Sequence, residues 1–443
     1  MNYNKISIAT IAAGMFAAGS AFAQNAEIGT WAGFRKAATS FTFDDNAPNH
    51  VTHAAPAFDE YGYKATFNLV VNWNPDWSGF QKMADNGHEI ASHSNTHGQN
   101  MSGEEASSKK SIEGKIKQKY GTITVAYPNC NVPGMDALKA NYIAGRICGN
   151  GQEVMGKDGP SDWFRVPAHM TGSTGSFNNT NAFTGAMQQA IQKGGWVMFL
   201  THGFSNAGNN GNANYSPTDL NAIKGALKWA NQNDKDIWVA PMGFVAMYIK
   251  ERKASKIEPQ DGGAANTMTF ELKHNIADNI SKYDYPLSIK VKTDWSNVEV
   301  TQDGAALESK VDGGYVYFDA VPNAGKIVVK NAAAAPESSS SSEPESSSSE
   351  TSSSSAGCVN PFDPGCQTGV AAAIPNNFQI SVYRSSDNYI VVGGAQGQSI
   401  TVFNSLGHKL RSTRGLGAEQ KVYTGAKGMY IVKVGGRTWK VKL

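Results

Sequence analysis

Between Ala38 and Lys253 short apolar runs recur at regular intervals, separated by stretches with helical spacing. The short runs at 40–43, 65–71, 89–91, 122–126, 196–201 and 237–240 read as buried strands. Helical spacing covers 107–120, 184–193 and 219–232, and a further helix closes at 59–61. Strands alternating with helices predict a parallel sheet or barrel. From 266 to 331 the period changes to two, as at 286–292 and 314–318, with turn signals at Asp303-Gly304 and 312–314, and this predicts a small antiparallel β module. Residues 336–356 are almost all Ser and Glu, have nothing to bury, and predict a solvated linker. Beyond it the segment 370–443 is again β-rich, with strands expected at 399–403 and 429–434.

A chain of 443 residues exceeds what one core usually serves, in keeping with several domains. Its net charge of +2 gives no reason to expect a nucleic-acid partner. The tail from Val370 differs, with ten Lys or Arg against only Asp387 and Glu419, and reads as a separate basic module. Lys5, the apolar stretch 6–18 and Ala21-Phe22-Ala23 have the form of an export signal over residues 1–23. Mature protein is then expected to begin at Gln24, with a catalytic region over 24–253. No segment has the length of a membrane-spanning helix. Export permits disulfides, and the four cysteines fall into two local pairs, Cys130 with Cys148 and Cys358 with Cys366.

Three clusters of polar residues stand where a parallel sheet puts its chemistry, just past the carboxyl ends of strands. Asp44 and Asp45 follow the first run; adjacent carboxylates resist joint ionisation, and a cation on one of them resolves the conflict. His93 and His97, four residues apart, are expected to face one way across a helical turn, giving two imidazoles and a carboxylate for a metal. His202 ends the run 196–201 and is placed to act as a general acid. Trp73, Trp77 and Trp163 offer rings for sugars or for packing, whereas His50, His53 and His169 read as polar loop residues and His88 as a structural hydrogen-bonding group.

The order of these clusters resembles the NodB-like polysaccharide deacetylases, carbohydrate esterase family 4. Thr42-Phe43-Asp44-Asp45 matches the first motif of that family, His93-Ser94-Asn95-Thr96-His97 the second, and Leu200-Thr201-His202 the last. The stretches 61–67 and 87–92 agree as well, and the resemblance covers about half the chain. It implies a distorted (β/α) barrel of about seven strands. Asp45, His93 and His97 would hold one divalent metal, most often zinc, which activates water and polarises the acetyl carbonyl. Asp44 would be the general base, His202 the general acid, and the Asn129 amide an oxyanion contact. The sequence departs from the pattern in two places. Asn46 stands where the family usually has Gly. The third motif aligns with Ala126-Tyr127-Pro128-Asn129 and lacks its arginine, so Arg146 or Arg165 must orient the base from elsewhere, with Arg146 favoured because a variant of the family carries a downstream arginine.

The resemblance implies removal of acetyl groups from a polysaccharide outside the cell, with acetylated xylan the leading substrate. N-acetylated glycans of chitin or peptidoglycan type are the alternative, and a carbohydrate-binding protein without turnover is a third reading. The β module at 266–331 resembles small domains that follow the barrel in some bacterial deacetylases. The tail resembles type nine secretion sorting domains through 400–407 and 428–434, which implies a partner in secretion machinery or at the cell surface.

Overall fold

The computed structural model describes residues 26–149, 154–260, 266–278, 280–332 and, with short gaps, 380–442. The expected signal at 1–23, the linker at 336–356 and the Cys358–Cys366 pair lie outside the described residues.

One parallel sheet organises the first half. Its strands are β2 (Ala37–Phe43), β3 (Thr66–Leu69), β4 (Glu89–Ser92), β5 (Thr124–Ala126), β6 (Ala144–Arg146), β7 (His169–Met170) and β8 (Trp196–Thr201), in the order β6-β5-β4-β3-β2-β8-β7. An eighth strand, β9 (Ile237–Val239), pairs with Ala37–Thr39 of β2, while β3 pairs with Thr42 and Phe43. The sheet therefore forks along β2 and curls, seven strands on one path with β9 on the branch, in keeping with the distorted (β/α) barrel of about seven strands expected from sequence. Every residue of β2, β3, β4 and β8 is buried, polar ones such as Ser40, Asn68 and Glu89 included. Phe43 stacks on Phe67 at 5.0 Å and Phe41 meets Phe199 at 4.8 Å, locking β2 to its neighbours on both sides.

Helix ends follow their caps. Asp219 accepts the Asn221 N–H and starts Leu220–Gln232; Asn179 accepts the Ala182 N–H and starts Thr180–Lys193, which ends on left-handed Gly194. The helix expected at 107–120 runs from Glu105 to Lys115, and the one closing at 59–61 is the single turn Ala55–Asp59. Helix Met242–Ala254 has no sequence signature because nearly all of its faces are buried, so its apolar residues show no helical stripe.

The antiparallel module is larger than its period-two segment. It comprises β10 (Lys256–Pro259), β11 (Thr267–Lys273), β12 (Leu287–Lys292), β13 (Val298–Gln302), β14 (Ala305–Leu307), β15 (Ser309–Asp312), β16 (Tyr315–Ala320) and β17 (Lys326–Asn331). These form two sheets, and the edge of one is β1 (Ala26–Ile28), paired antiparallel with β12. Residues 26–28 thus belong to this sheet and not to the barrel with which 24–253 groups them. A core of Phe270, Leu272, Ile289, Val316, Val329 and their neighbours reaches Tyr248 of helix Met242–Ala254. The basic tail folds into two further antiparallel sheets around Ile390, Val392, Ile400, Val402 and Val432.

Glu251 lies in the seam between that helix and the module. It is fully buried; Oε1 accepts the Tyr285 N–H at 3.1 Å, and Oε2 has no hydrogen-bond partner and sits 3.9 Å from His274 Nε2. Burial above all, with Asp284 adding to it against Lys119, pushes the Glu251 carboxyl from its ordinary 4.5 up to about 8. Because the folded pKa is the higher, the folded state holds the proton more tightly, and stability falls as pH rises from 4.5 through about 8. Glu251→Gln is expected to flatten that fall, read as melting temperature against pH for both proteins.

Candidate active site

The carboxyl ends of β2, β4 and β8 carry Asp44 and Asp45, His93, and His202 to one place. The Asp44 N–H donates to the Thr201 carbonyl at 2.8 Å, so the end of β2 is registered against β8. The chain then turns through left-handed Asp45 (φ 72°) and Asn46 (φ 39°). Asparagine tolerates that conformation well among non-glycine residues, which accounts for Asn46 standing at a position usually held by Gly. Its Oδ1 accepts the Val70 N–H at 2.9 Å and ties the turn to the end of β3.

Asp44 is 2 % exposed and ion-paired with the equally buried Arg146 at the end of β6. Asn68 donates from Nδ2 to Asp44 Oδ1 at 2.7 Å. Burial alone would raise the Asp44 pKa; Arg146, then His93 and His202, and the Asn68 amide outweigh it and hold the carboxylate far below the usual range. Asp45 has no such cation of its own. Burial and the Asp44 charge push it up to about 8, against a smaller pull from Arg146.

His93 Nδ1–H donates to the Ala126 carbonyl at 2.9 Å, which leaves Nε2 with its lone pair facing the carboxylates. Burial lowers its pKa to about 4 and so favours this neutral form. The link from His93 to His97 is not the helical turn expected from the spacing. Ser94 and His97 are left-handed (φ 72° and 54°), the Ser94 hydroxyl accepts the His97 N–H at 2.9 Å, and Glu104 accepts the N–H groups of Asn95 and Thr96 at 2.7 and 3.1 Å. A loop held by a distant carboxylate brings the two rings together, with centroids 4.8 Å apart.

Asp45 Oδ1 lies 3.5 Å from Nε2 of both His93 and His97, too far for a hydrogen bond. It is buried and has no hydrogen-bond partner. Tetrahedral ligands about 2.0–2.1 Å from a shared cation stand roughly 3.3–3.5 Å apart, as Asp45 Oδ1 stands from each imidazole, and all three ligand atoms lie within 4.8 Å of one another, a donor set that suits a divalent metal of the zinc type. Among the described residues this is the one group of three or more His, Cys, Asp or Glu that could hold such an ion.

His202 Nε2 approaches the other oxygen of Asp45 at 3.9 Å. Behind it, buried His50 donates from Nε2 to the His202 carbonyl at 2.9 Å and packs among Phe43, Phe67 and Phe204. His50 is therefore an interior support, not the polar loop residue expected. His88 bridges the Asp59 carboxylate and the Ala65 N–H, a structural role.

Asn129 is left-handed and precedes Cys130, which is bonded to Cys148 two residues past Arg146. The bond thus joins the Asn129 turn to the strand end carrying the arginine on Asp44. Arg165 is exposed and pairs with Asp162, so of the two arginines weighed only Arg146 touches the base. Trp163 is not at the site either. It packs on Trp196, the first residue of β8, with the Lys250 ammonium over its ring, about 20 Å of strand from His202. Trp73 is at the site, stacked on His97 at 4.8 Å. Sequence reading missed Asn68 and Glu104. A lone amide inside the buried run Thr66-Phe67-Asn68-Leu69 was a usable signal; nothing local marked Glu104.

Residues 33–132 match the family model described as polysaccharide deacetylase. The resemblance read from the sequence holds. A curated relative, gellan lyase of Bacillus sp, is 26 % identical over 341 residues, 70 % of this chain; the chain spans 13 % of the length of that relative. Solved structures similar to the deacetylase region include a family 4 acetyl xylan esterase from Clostridium thermocellum in complex with a cobalt ion, at 16 % identity and TM-score 0.31, covering 47 % of this chain and 89 % of that one. The catalytic domain of a peptidoglycan N-acetylglucosamine deacetylase from Eubacterium rectale matches at 14 % identity and TM-score 0.28, covering 46 % and 88 %. Neither likeness is close enough to bear on substrate.

Proposed function

We propose that this polysaccharide deacetylase is exported and depends on a divalent metal, zinc being the leading choice, and that it hydrolyses acetyl esters of a polysaccharide, acetylated xylan first. The observation that carries the reading is the convergence of Asp45, His93 and His97 beside a second carboxylate that has its own arginine. Asp45, His93 and His97 hold the metal, which when bound lowers the pKa of water and polarises the acetyl carbonyl. Asp44, kept ionised by Arg146 and aimed by Asn68, accepts the proton of the attacking water. His202 hands a proton to the departing sugar oxygen, and the Asn129 N–H donates to the oxyanion. The Ser-rich linker and the appended β modules support an extracellular polymeric substrate, with the basic tail serving export or surface attachment.

The test is acetate release from acetylated xylan and from N-acetylglucosamine oligomers, before and after chelation and with zinc restored. Release from xylan that a chelator abolishes and zinc recovers is the expected outcome. Release from the N-acetylated oligomers alone would reassign the substrate, and release unaffected by thorough chelation would remove the metal from the reaction.

A further inference from the structure

Two aromatic rings flank the catalytic histidines without a part in the chemistry just described. Tyr215 is the single exposed large hydrophobic residue among the described residues, at 57 %, and its ring stands edge-on to His202 with centroids 5.3 Å apart. Trp73, half-buried, backs His97. His97 faces one oxygen of Asp45 and His202 the other, with Trp73 stacked on the first imidazole and Tyr215 edge-on to the second. A cleft lined by Asp45, Trp73, Asn74, Asp76, Gly211 and Asn212 opens on the Trp73 side, and Tyr215 is not part of its lining.

The loop that presents Tyr215 is pinned at many points. Gly203 N–H donates to the Ala213 carbonyl and Thr218 N–H to the Gly203 carbonyl, both at 2.9 Å. Asn210 Oδ1 accepts from the Phe204 N–H at 2.7 Å and from Asn49 Nδ2 at 2.6 Å. A side chain at Gly203 would strike Asn210 and the Ala213 carbonyl, so the close approach needs glycine there. Ser216, the next residue after Tyr215, is buried and donates to the Thr171 carbonyl at 2.7 Å. Burying Ser216 turns Tyr215 outward on a firm support, an arrangement that leaves 57 % of the residue exposed with its edge contact to His202.

We propose that Tyr215 is a sugar-ring platform that seats an uncharged acetylated glycan across the site, with Trp73 and the Asn74 and Asn212 amides on the cleft side. This rests on the deacetylase reading. No lysine or arginine is among the residues lining the cleft, and the buried Arg146 is already taken by Asp44. Rings and amides recognise the faces and hydroxyls of neutral sugars, and away from the metal ligand Asp45 the cleft offers a uronate Asp76 and no basic side chain.

Calorimetric titration of Asp44→Asn protein with acetylated xylo-oligosaccharide, compared with its Tyr215→Ala and Tyr215→Phe double variants, tests this apart from turnover. Tyr215→Ala should weaken binding about tenfold, the loss of one stacked ring, and Tyr215→Phe should stay within about twofold. An oligosaccharide bearing uronates should bind more weakly than the neutral one. Unchanged affinity in Tyr215→Ala, or a loss that Phe does not restore, would overturn the platform. In the active protein the same substitution should raise KM for the oligosaccharide more than it lowers kcat; the reverse would make Tyr215 a mere support for His202. Absence of acetate release by unaltered protein would sink the deacetylase reading while leaving the affinity comparison to judge the platform.

Discussion

Asp44→Asn is expected to lower kcat for acetate release by about a thousandfold while metal stays bound. A positioned general base contributes roughly 10²–10⁴ in rate, and asparagine cannot take a proton from water. The metal-ligand group of Asp45, His93 and His97 is untouched by the change. Asparagine also keeps an oxygen to accept from Arg146. Its new NH₂ opposes the Asn68 amide, which can turn over to offer a carbonyl instead. Metal content by elemental analysis beside steady-state rates checks both halves. Retained turnover would take Asp44 out of the base role, and lost metal would make it a ligand.

The largest effect on stability is expected from Arg146→Met. Arg146 is 1 % exposed and faces Asp44, itself 2 % exposed, so deleting the cation leaves a buried carboxylate with the Asn68 hydrogen bond and the more distant imidazoles of His93 and His202. Breaking a buried pair from one side costs about 3–5 kcal/mol, whereas replacing both members is often near neutral. The double variant Asp44→Asn/Arg146→Met should therefore recover much of what the single change loses. Urea denaturation of the four proteins measures this coupling. The single variant should also lose activity, since Arg146 is the foremost of the groups that hold the Asp44 carboxyl low, and without it burial pushes that pKa upward. A cost below about 1 kcal/mol, or strictly additive effects, would mean that the pair is solvated and that Arg146 does not hold the base ionised.

Much of this arrangement is legible in the residues, for a physical reason. Short runs rich in apolar residues bring out β2, β3, β4 and β8, and the charged and imidazole side chains just past such runs mark the open end of a parallel sheet. Legibility stops where long-range contacts decide. β6 and β7 have three and two residues, too few for any period, and β6 is the strand that delivers Arg146 to Asp44. The spacing of His93 and His97 fits a helical turn, yet Glu104, from outside the motif, imposes a loop. Trp163 carries the right side chain for a sugar but sits at the wrong end of its neighbouring strand, a fact of topology that no local pattern contains. His50 looks like a loop residue because its apolar surroundings come from three other segments.

The pairing of Ala26–Ile28 with Leu287–Lys292 has a practical corollary for anyone dissecting the molecule. A clone started at the first barrel strand would strip β12 of its neighbour and bare a row of amides and carbonyls, the kind of edge that recruits other chains into aggregates. Trimming the far end back to Ala254 would uncover Tyr248 and the apolar face it shares with the β core. The smallest soluble fragment worth expressing therefore runs from Ala26 to Asn331, because the polypeptide leaves one sheet, builds the barrel, and returns to finish the sheet it left.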